Sequence, residues 1–317
     1  FRQPGSAFKP FVYLAALDNG YTPSTMILDA PFVIDQGPDL GKWKPANYTR
    51  KFYGPSPMRL GVEKSRNLMT VRLARVIGMP RVTDYAKRFG ISEQMPRQLS
   101  MALGSGETSL IRLTTGYAML VNGGKRIQPS VIDRVQNRHG KTVFRHDPRQ
   151  CARCNTPGWT GDKPPKIADI REQVVDEASA YQVVSMLEGV VKRGTGRRIS
   201  ALNWPLAGKT GTTNESRDTW FIGFSPDLAV GVFVGFDNPT PLGRRETGSS
   251  VAAPIFKAFM AKALEGKPAI PFRIPPNVRM VRVDPRTGHP AGAADRRVIL
   301  EAFKVGTEPS LDDSNTL

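Results

Sequence analysis

A chain of 317 residues with 39% hydrophobic and 23% charged side chains can bury one large core or two modest ones, which excludes wholesale disorder. Its 45 Lys and Arg outnumber 28 Asp and Glu, a net charge of +17. These cations are spread thinly from Arg2 to Lys304, with no zinc-finger spacing, RNP-like aromatic segment or basic zipper, so nucleic acid is not an expected partner.

In chain order, Gly5 to Leu17 reads as a helix, with Ser6 at its start, Pro10 confined to the first turn and Asn19-Gly20 as the stop. Residues 21–60 hold six prolines and read as ordered loop. Helical patterns follow over Leu68–Ile77, about Pro80–Arg88 and Leu110–Val121, each closed by glycine or Asn-Gly. Arg126 to Arg145 alternates around His139-Gly140 as a hairpin does. The polar, Pro- and Gly-rich stretch from Gln150 to Lys166 reads as an exposed excursion. Glu177 to Val191 is a helix with Tyr181, Val184, Leu187 and Val191 on one face. Strands are expected at Leu206–Thr213, Thr219–Phe224 and Leu228–Phe236, and the short Ser225-Pro226-Asp227 link makes the last two antiparallel. A closing helix at Ala253–Leu264 and a β-like run at Val278–Val283 complete an α+β order of elements. No apolar run approaches the ~18 residues of a membrane span. The chain opens at Phe1 rather than at methionine, so a processed or clipped start is expected.

Histidine usage narrows the chemistry. His139 and His146 belong to the hairpin and His289 precedes a proline, so a Ser-His-Asp mechanism has no base and lysine takes its place. In Ser6-Ala7-Phe8-Lys9 the i to i+3 spacing puts hydroxyl and amine on one face of the first helical turn. Free amides and the positive dipole end at that helix start favour a developing oxyanion. A lysine acts as base only when neutral, a state that burial beside other cations produces. Lys64-Ser65-Arg66-Asn67 precedes a helix, and Lys209-Thr210-Gly211-Thr212 lies on an expected strand, with Gly211 permitting close backbone approach.

In this order Ser-x-x-Lys, Ser-x-Asn and Lys-Thr-Gly are the signature set of penicillin-binding proteins and serine β-lactamases. The chain resembles the transpeptidase domain of class A (bifunctional) penicillin-binding proteins, most closely the 1A type of Gram-negative bacteria. The resemblance extends through Arg2 to Ser6, Lys42 to Tyr48 with Tyr53-Gly54, Asp218 to Pro226, Glu246-Thr247-Gly248 and Ala252 to Phe256. It implies an antiparallel sheet flanked by helices plus an all-helical lobe, with the sheet's N-terminal strands missing from this chain. It implies residues 1–275 as the transpeptidase domain, with the hairpin and Cys-containing loop near 126–170, and 276–317 as a tail.

By the same resemblance Ser6 attacks the penultimate D-Ala carbonyl of a stem pentapeptide and Lys9 takes its proton. Ser65 relays a proton to the leaving amine, and Asn67 holds Lys9 and the substrate. Lys209 supplies positive potential, Thr210 and Thr212 bind the substrate carboxylate beside Gly211, and the Ser6 and Thr212 amides form the oxyanion hole. Such two-step acyl transfer needs no metal or cofactor. The partners implied are stem pentapeptides, the lipid-linked precursor and β-lactams as covalent inhibitors. The implied parent carries an upstream membrane anchor and a peptidoglycan glycosyltransferase domain, with this region on the periplasmic side of the inner membrane. The net charge fits a domain held near anionic lipid and wall polymer. A D,D-carboxypeptidase, a β-lactamase and a non-enzymatic penicilloyl sensor are the competing readings.

Four peripheral features are left over. Gly104-Ser105-Gly106-Glu107 reads as a plain turn before the next helix. Trp43, Tyr48 and Trp220 fit either a substrate groove or packing, and Arg217 and Arg244 either anion contacts or solvated charge. Cys151 and Cys154 leave three states open: a small disulfide ring, reduced thiols, or zinc with His139 and His146.

Overall fold

The computed structural model describes residues 1–35, 41–149, 151, 167–292 and 294–310. The expected first helix is two pieces, a 3-10 turn over Gly5–Phe8 running straight into α1 (Lys9–Leu17). Pro10 occupies the second position of α1, where a missing N–H costs nothing. Every residue of α1 is buried, which makes it the central helix of the fold. Residues 21–60 depart from the loop expectation. They contain β1 (Met26–Asp29), β2 (Ile34–Asp35), β3 (Lys42–Trp43) and β4 (Gly54–Pro57), paired antiparallel as β1 with β4 and β2 with β3. Two-stranded ribbons have only edge strands, so Pro55 and Pro57 are tolerated despite lacking N–H donors. A short α2 (Met58–Glu63), also unexpected, follows directly.

Next come α3 (Asn67–Ile77) and α4 (Met79–Arg88), hinged at Gly78, whose φ of 85° suits glycine alone. The bounds of α5 (Leu110–Val121) are those expected, with the Ser109 side chain as N-cap. The hairpin is formed by β5 (Arg134–Gln136) and β6 (Thr142–Arg145), both exposed throughout. Of the excursion only Cys151 is among the described residues, and it is disulfide-bonded; Cys154 lies outside them. α6 (Glu177–Arg193) is capped by Asp176 and ends on Lys192 and Arg193, a sign of charge that suits its C-terminal dipole.

The sheet is β7 (Ala207–Thr212), β8 (Asp218–Phe224) and β9 (Ala229–Gly235), antiparallel in the order β7-β8-β9. β8 is buried along its whole length because both faces are covered. Trp220, Ile222 and Phe224 join the main core with Phe8, Phe11 and Tyr117, while Phe221 packs with Phe256 of α7 (Ala253–Ala263). β7 and β9 are the outer strands among the described residues, and β9 is half-buried throughout. The expected run at Val278–Val283 is β10, paired antiparallel with an unanticipated β11 (Ile299–Lys304).

A buried ion network ties β11 to α2. Arg59 Nε and Nη2 donate to the two Glu301 oxygens, Nη1 donates to Glu63 Oε1 (3.0 Å), and Nη2 donates to Ser185 Oγ (2.9 Å). The Arg59 and Glu301 side chains are each only 2% exposed. Breaking such a pair leaves one charge buried and unpaired, so Glu301→Ala is expected to lower unfolding free energy by about 3–5 kcal/mol. Arg59→Met combined with Glu301→Leu is expected to lose far less. Urea denaturation of the two variants checks this; equal losses would contradict it.

Candidate active site

Two lysines meet on one hydroxyl. Lys9, the first residue of α1, is fully buried, and its Nζ donates to Asn67 Oδ1 (2.6 Å), Ser65 O (2.8 Å) and Ser65 Oγ (3.4 Å). Lys209, fully buried on β7, donates from the other side to Ser65 Oγ (2.8 Å) and to Thr210 O (3.1 Å). The corner between α2 and α3 makes this meeting local: Ser65 stands at φ 56° and Asn67 begins α3 two residues later. A serine in the left-handed region is strained, and it is held by amide hydrogen bonds from Ser65 N to Val62 O (3.2 Å) and Arg66 N to Gly61 O (2.9 Å).

Burial of two ammonium groups beside each other disfavours both charges. Lys9 is held well below its ordinary range, first by desolvation and then by the Lys209 charge, with Asp29 pulling the other way. Desolvation lowers Lys209 to about 7.

Ser6 lies in the 3-10 turn just before Lys9, half-buried, and its Oγ makes no hydrogen bond among the described residues. Backbone clamps this turn from two sides. Gly104, at φ 81°, receives the Gly5 amide on its carbonyl (3.1 Å), and a Cβ there would lie 2.0 Å from Gly5 O. On the other side a Cβ on Gly211 would lie 2.4 Å from Pro4 O, and one on Gly5 2.5 Å from Thr212 O. β7 is thus pressed against the Ser6 turn with no room for side chains, and the Tyr117 hydroxyl anchors the turn through Ala7 O (2.6 Å). Gly104 therefore does more than the plain turn expected of it.

On β7 the Thr210 hydroxyl shares a hydrogen bond with Thr195 Oγ1 (2.8 Å), and Thr212 Oγ1 accepts from Gly248 N (3.0 Å). The structure thus joins Lys9, Ser65, Asn67 and Lys209 by direct hydrogen bonds, and sets Ser6, Gly211 and Thr212 beside them through backbone contact. A groove of about 360 Å³ runs from Ser65 past Asn47, Tyr48, Tyr53, Arg66 and Thr195. Tyr48 (76% exposed) borders it, whereas Trp220 belongs to the core and Trp43 packs near Phe32. Arg217 pairs with Glu215, and Arg244 is exposed.

Thr195, Asn47 and Asp29 were not singled out from the sequence as site residues. Thr195 is flanked by Gly194 and Gly196, the one local sign of a close approach. Asn47 and Asp29 are buried polar residues in a proline-rich stretch, a setting that signals nothing until their partners are known. Among the described residues no three His, Cys, Asp or Glu side chains gather as metal ligands, and no helix is long and apolar enough to cross a membrane.

Comparison with known proteins agrees with the fold and the motifs. The penicillin binding protein transpeptidase domain family matches residues 2–261. The chain is 44% identical to penicillin-binding protein 1A of Rickettsia conorii over 100% of its own length and 40% of that protein. It is 38% identical to penicillin-binding protein 1A of Pseudomonas aeruginosa, over 98% of this chain and 42% of the other. It therefore spans about two-fifths of the length of these relatives. The crystal structure of penicillin-binding protein 1A from Haemophilus influenzae superposes with a TM-score of 0.84 at 31% identity, covering 98% of this chain and 48% of that one. PonA1 from Mycobacterium tuberculosis in complex with penicillin V shares the fold, with a TM-score of 0.70 at 24% identity over 86% of this chain and 72% of that one.

The lysine pair yields a direct prediction. With Lys209 near 7 in the folded protein and near 10.4 unfolded, the unfolded state binds the extra proton between those values. The contribution of Lys209 to stability therefore rises with pH across that window. In protein labelled with ¹³Cε-lysine, one lysine resonance is expected to titrate near pH 7 and to vanish in Lys209→Met. A set of lysines all titrating near 10 would contradict this.

Proposed function

The chain belongs to the penicillin-binding protein transpeptidase family, and we propose that it is a serine D,D-transpeptidase that crosslinks peptidoglycan stem peptides. The observation that carries this reading is the hydrogen-bonded chain Lys9–Ser65–Lys209 beside the clamped Ser6 turn. A neutral lysine has two N–H bonds and one lone pair. Asn67 Oδ1 and Ser65 O, the two nearest acceptors of Lys9, engage both N–H bonds and leave the lone pair to receive the Ser6 proton.

Ser6 Oγ then attacks the penultimate D-Ala carbonyl. The Ser6 and Thr212 amides take the oxyanion, where one donor is typically worth about 2.7–4 kcal/mol of barrier. Ser65, fed by Lys209, passes a proton to the amine of the departing D-Ala, leaving an acyl ester on Ser6. An amine from a neighbouring stem peptide attacks that ester, forms the crosslinking amide and restores the Ser6 hydroxyl. Thr210 and Thr212, with the potential of Lys209, hold the terminal carboxylate of the donor beside Gly211. A β-lactam presents a strained amide and a carboxylate to the same groups, and its ring opening leaves a covalent adduct with no separate leaving group.

The catalytic unit is residues 1–275, with the 276–317 segment clasped to it through Glu301. In the whole protein we place a glycosyltransferase domain and a membrane anchor upstream, with this unit on the periplasmic side of the inner membrane binding the lipid-linked precursor's stem peptide. The two-fifths share of the relatives' length leaves room for that arrangement.

Intact-mass spectrometry after benzylpenicillin addition tests the reading. One adduct per chain, lasting many minutes, is expected in the wild type and none in Ser6→Ala. Adduct formation in Ser6→Ala would overturn the assignment, and rapid return to the unmodified mass would favour a β-lactamase.

A further inference from the structure

Lys9 is aimed by Asn67, and nothing local aims Asn67. The residue before α3, Arg66, makes no side-chain cap to the helix. Asn47, 20 residues upstream, supplies the cap instead: its Oδ1 accepts from Asn67 N (2.9 Å) and Leu68 N (3.3 Å). Its Nδ2 donates to Asp29 Oδ1 (2.7 Å) and Lys51 O (2.9 Å). All four hydrogen-bonding positions of the Asn47 amide are used, so the group has one orientation. Asp29 sets that orientation, because only an amide with its nitrogen on the carboxylate turns its oxygen toward α3. Asp29 is fully buried and Asn47 is 5% exposed. The loop carrying Asn47 is fastened to the same asparagine by Asn67 Nδ2 donating to Ala46 O (2.7 Å).

We infer that Asp29 and Asn47 are positioning residues of the acylation step, a relay that fixes Asn67 Oδ1 on Lys9 and so directs the lysine lone pair at Ser6. The inference rests on the transpeptidase reading above. Asp29 lines no part of the groove, and Asn47 borders it with a carboxamide wholly engaged by protein partners. Their effect passes through Asn67, and for Asp29 also through charge. A carboxylate behind α1 favours the ammonium form of Lys9, opposing the desolvation and the Lys209 charge that disfavour it. The charged and titratable groups facing this network are Lys209 from β7, Asp29 from β1, Arg66 from the α2–α3 corner, Tyr53 just before β4, and Tyr13 on α1 itself. Arg66 Nη1 lies 3.4 Å from Asp29 Oδ2, an ion pair without a hydrogen bond, and its guanidinium stacks on Tyr53 at 4.0 Å.

A cap that only stabilised α3 would change unfolding and leave the chemistry alone; a positioning relay changes the chemistry. Stopped-flow acylation by benzylpenicillin separates the rate constant of the covalent step from the affinity of the encounter complex. Asn47→Ala is expected to lower the covalent rate constant about a hundredfold, the cost of a misplaced catalytic group, a loss larger than any change in the encounter affinity. Asp29→Asn keeps the hydrogen bond to Asn47 and removes the charge. Lys9 then loses its proton more readily, so the ascending limb of the rate–pH profile moves to lower pH. The ¹³Cε titration of Lys9 moves in the same direction and needs no acylation to be read. An Asn47→Ala protein that remains folded with a wild-type covalent rate, or an Asp29→Asn protein with an unmoved Lys9 titration, would overturn the inference. Failure of the wild type to acylate would instead sink the transpeptidase reading, while the Lys9 titration would still decide the role of Asp29.

Discussion

Two buried ammonium groups cannot both keep their protons comfortably around one hydroxyl, and the site is organised by that conflict. Lys9 and Lys209 reach Ser65 Oγ from opposite sides, with almost no water to share their charge. Desolvation and mutual repulsion push Lys9 toward the amine, and desolvation alone brings Lys209 to about 7. In the proposed reaction one lysine serves as base while the other offers positive potential to an anionic substrate. The same residue type fills two roles because their surroundings differ: only Lys9 has the Asn67 carboxamide oxygen and a carboxylate at its back.

Two buried lysine amines with no carboxylate bound to either among the described residues need a fixed frame to keep them on one hydroxyl, and the surrounding structure supplies it. α1 is buried on all sides, so the base cannot swing out. The Ser6 turn is gripped between the backbones of Gly104 and β7, at separations that admit no Cβ. Ser65 is held at a positive φ by the corner between two helices, which α2 and its Arg59–Glu63 pair anchor to α6 and β11. Catalytic geometry is thus carried by main-chain contact and buried ion pairs rather than by mobile loops.

The gathering of the candidate site was legible in the sequence where spacing is local. Ser6 and Lys9 share a helical face, Ser65 and Asn67 flank a helix start, and Lys209, Gly211 and Thr212 lie on one strand. α5 was legible to the residue because Ser109 caps it and Asn122-Gly123 ends it. α6 runs two residues past its expected end, since the apolar stripe stops at Val191 while Lys192 and Arg193 continue the helix on its polar side. The ribbon of β1 with β4 was hidden by its prolines, which an edge strand tolerates and a pattern reading takes for loop. Asp29, Asn47 and Thr195 were hidden for a different reason. Apart from Lys51 O, four residues from Asn47, their side-chain partners lie 15 to 37 residues away in sequence, and no periodicity announces a contact of that kind.

The central claim is that Lys9 enters the reaction as a neutral amine at ordinary pH. The pH dependence of the acylation rate with benzylpenicillin tests it most directly, because the rate follows the deprotonated fraction of the base. The account predicts a rate that levels off well below lysine's ordinary value of about 10.4. A rate that climbs steadily through pH 9 and 10, as an unperturbed lysine requires, would contradict it.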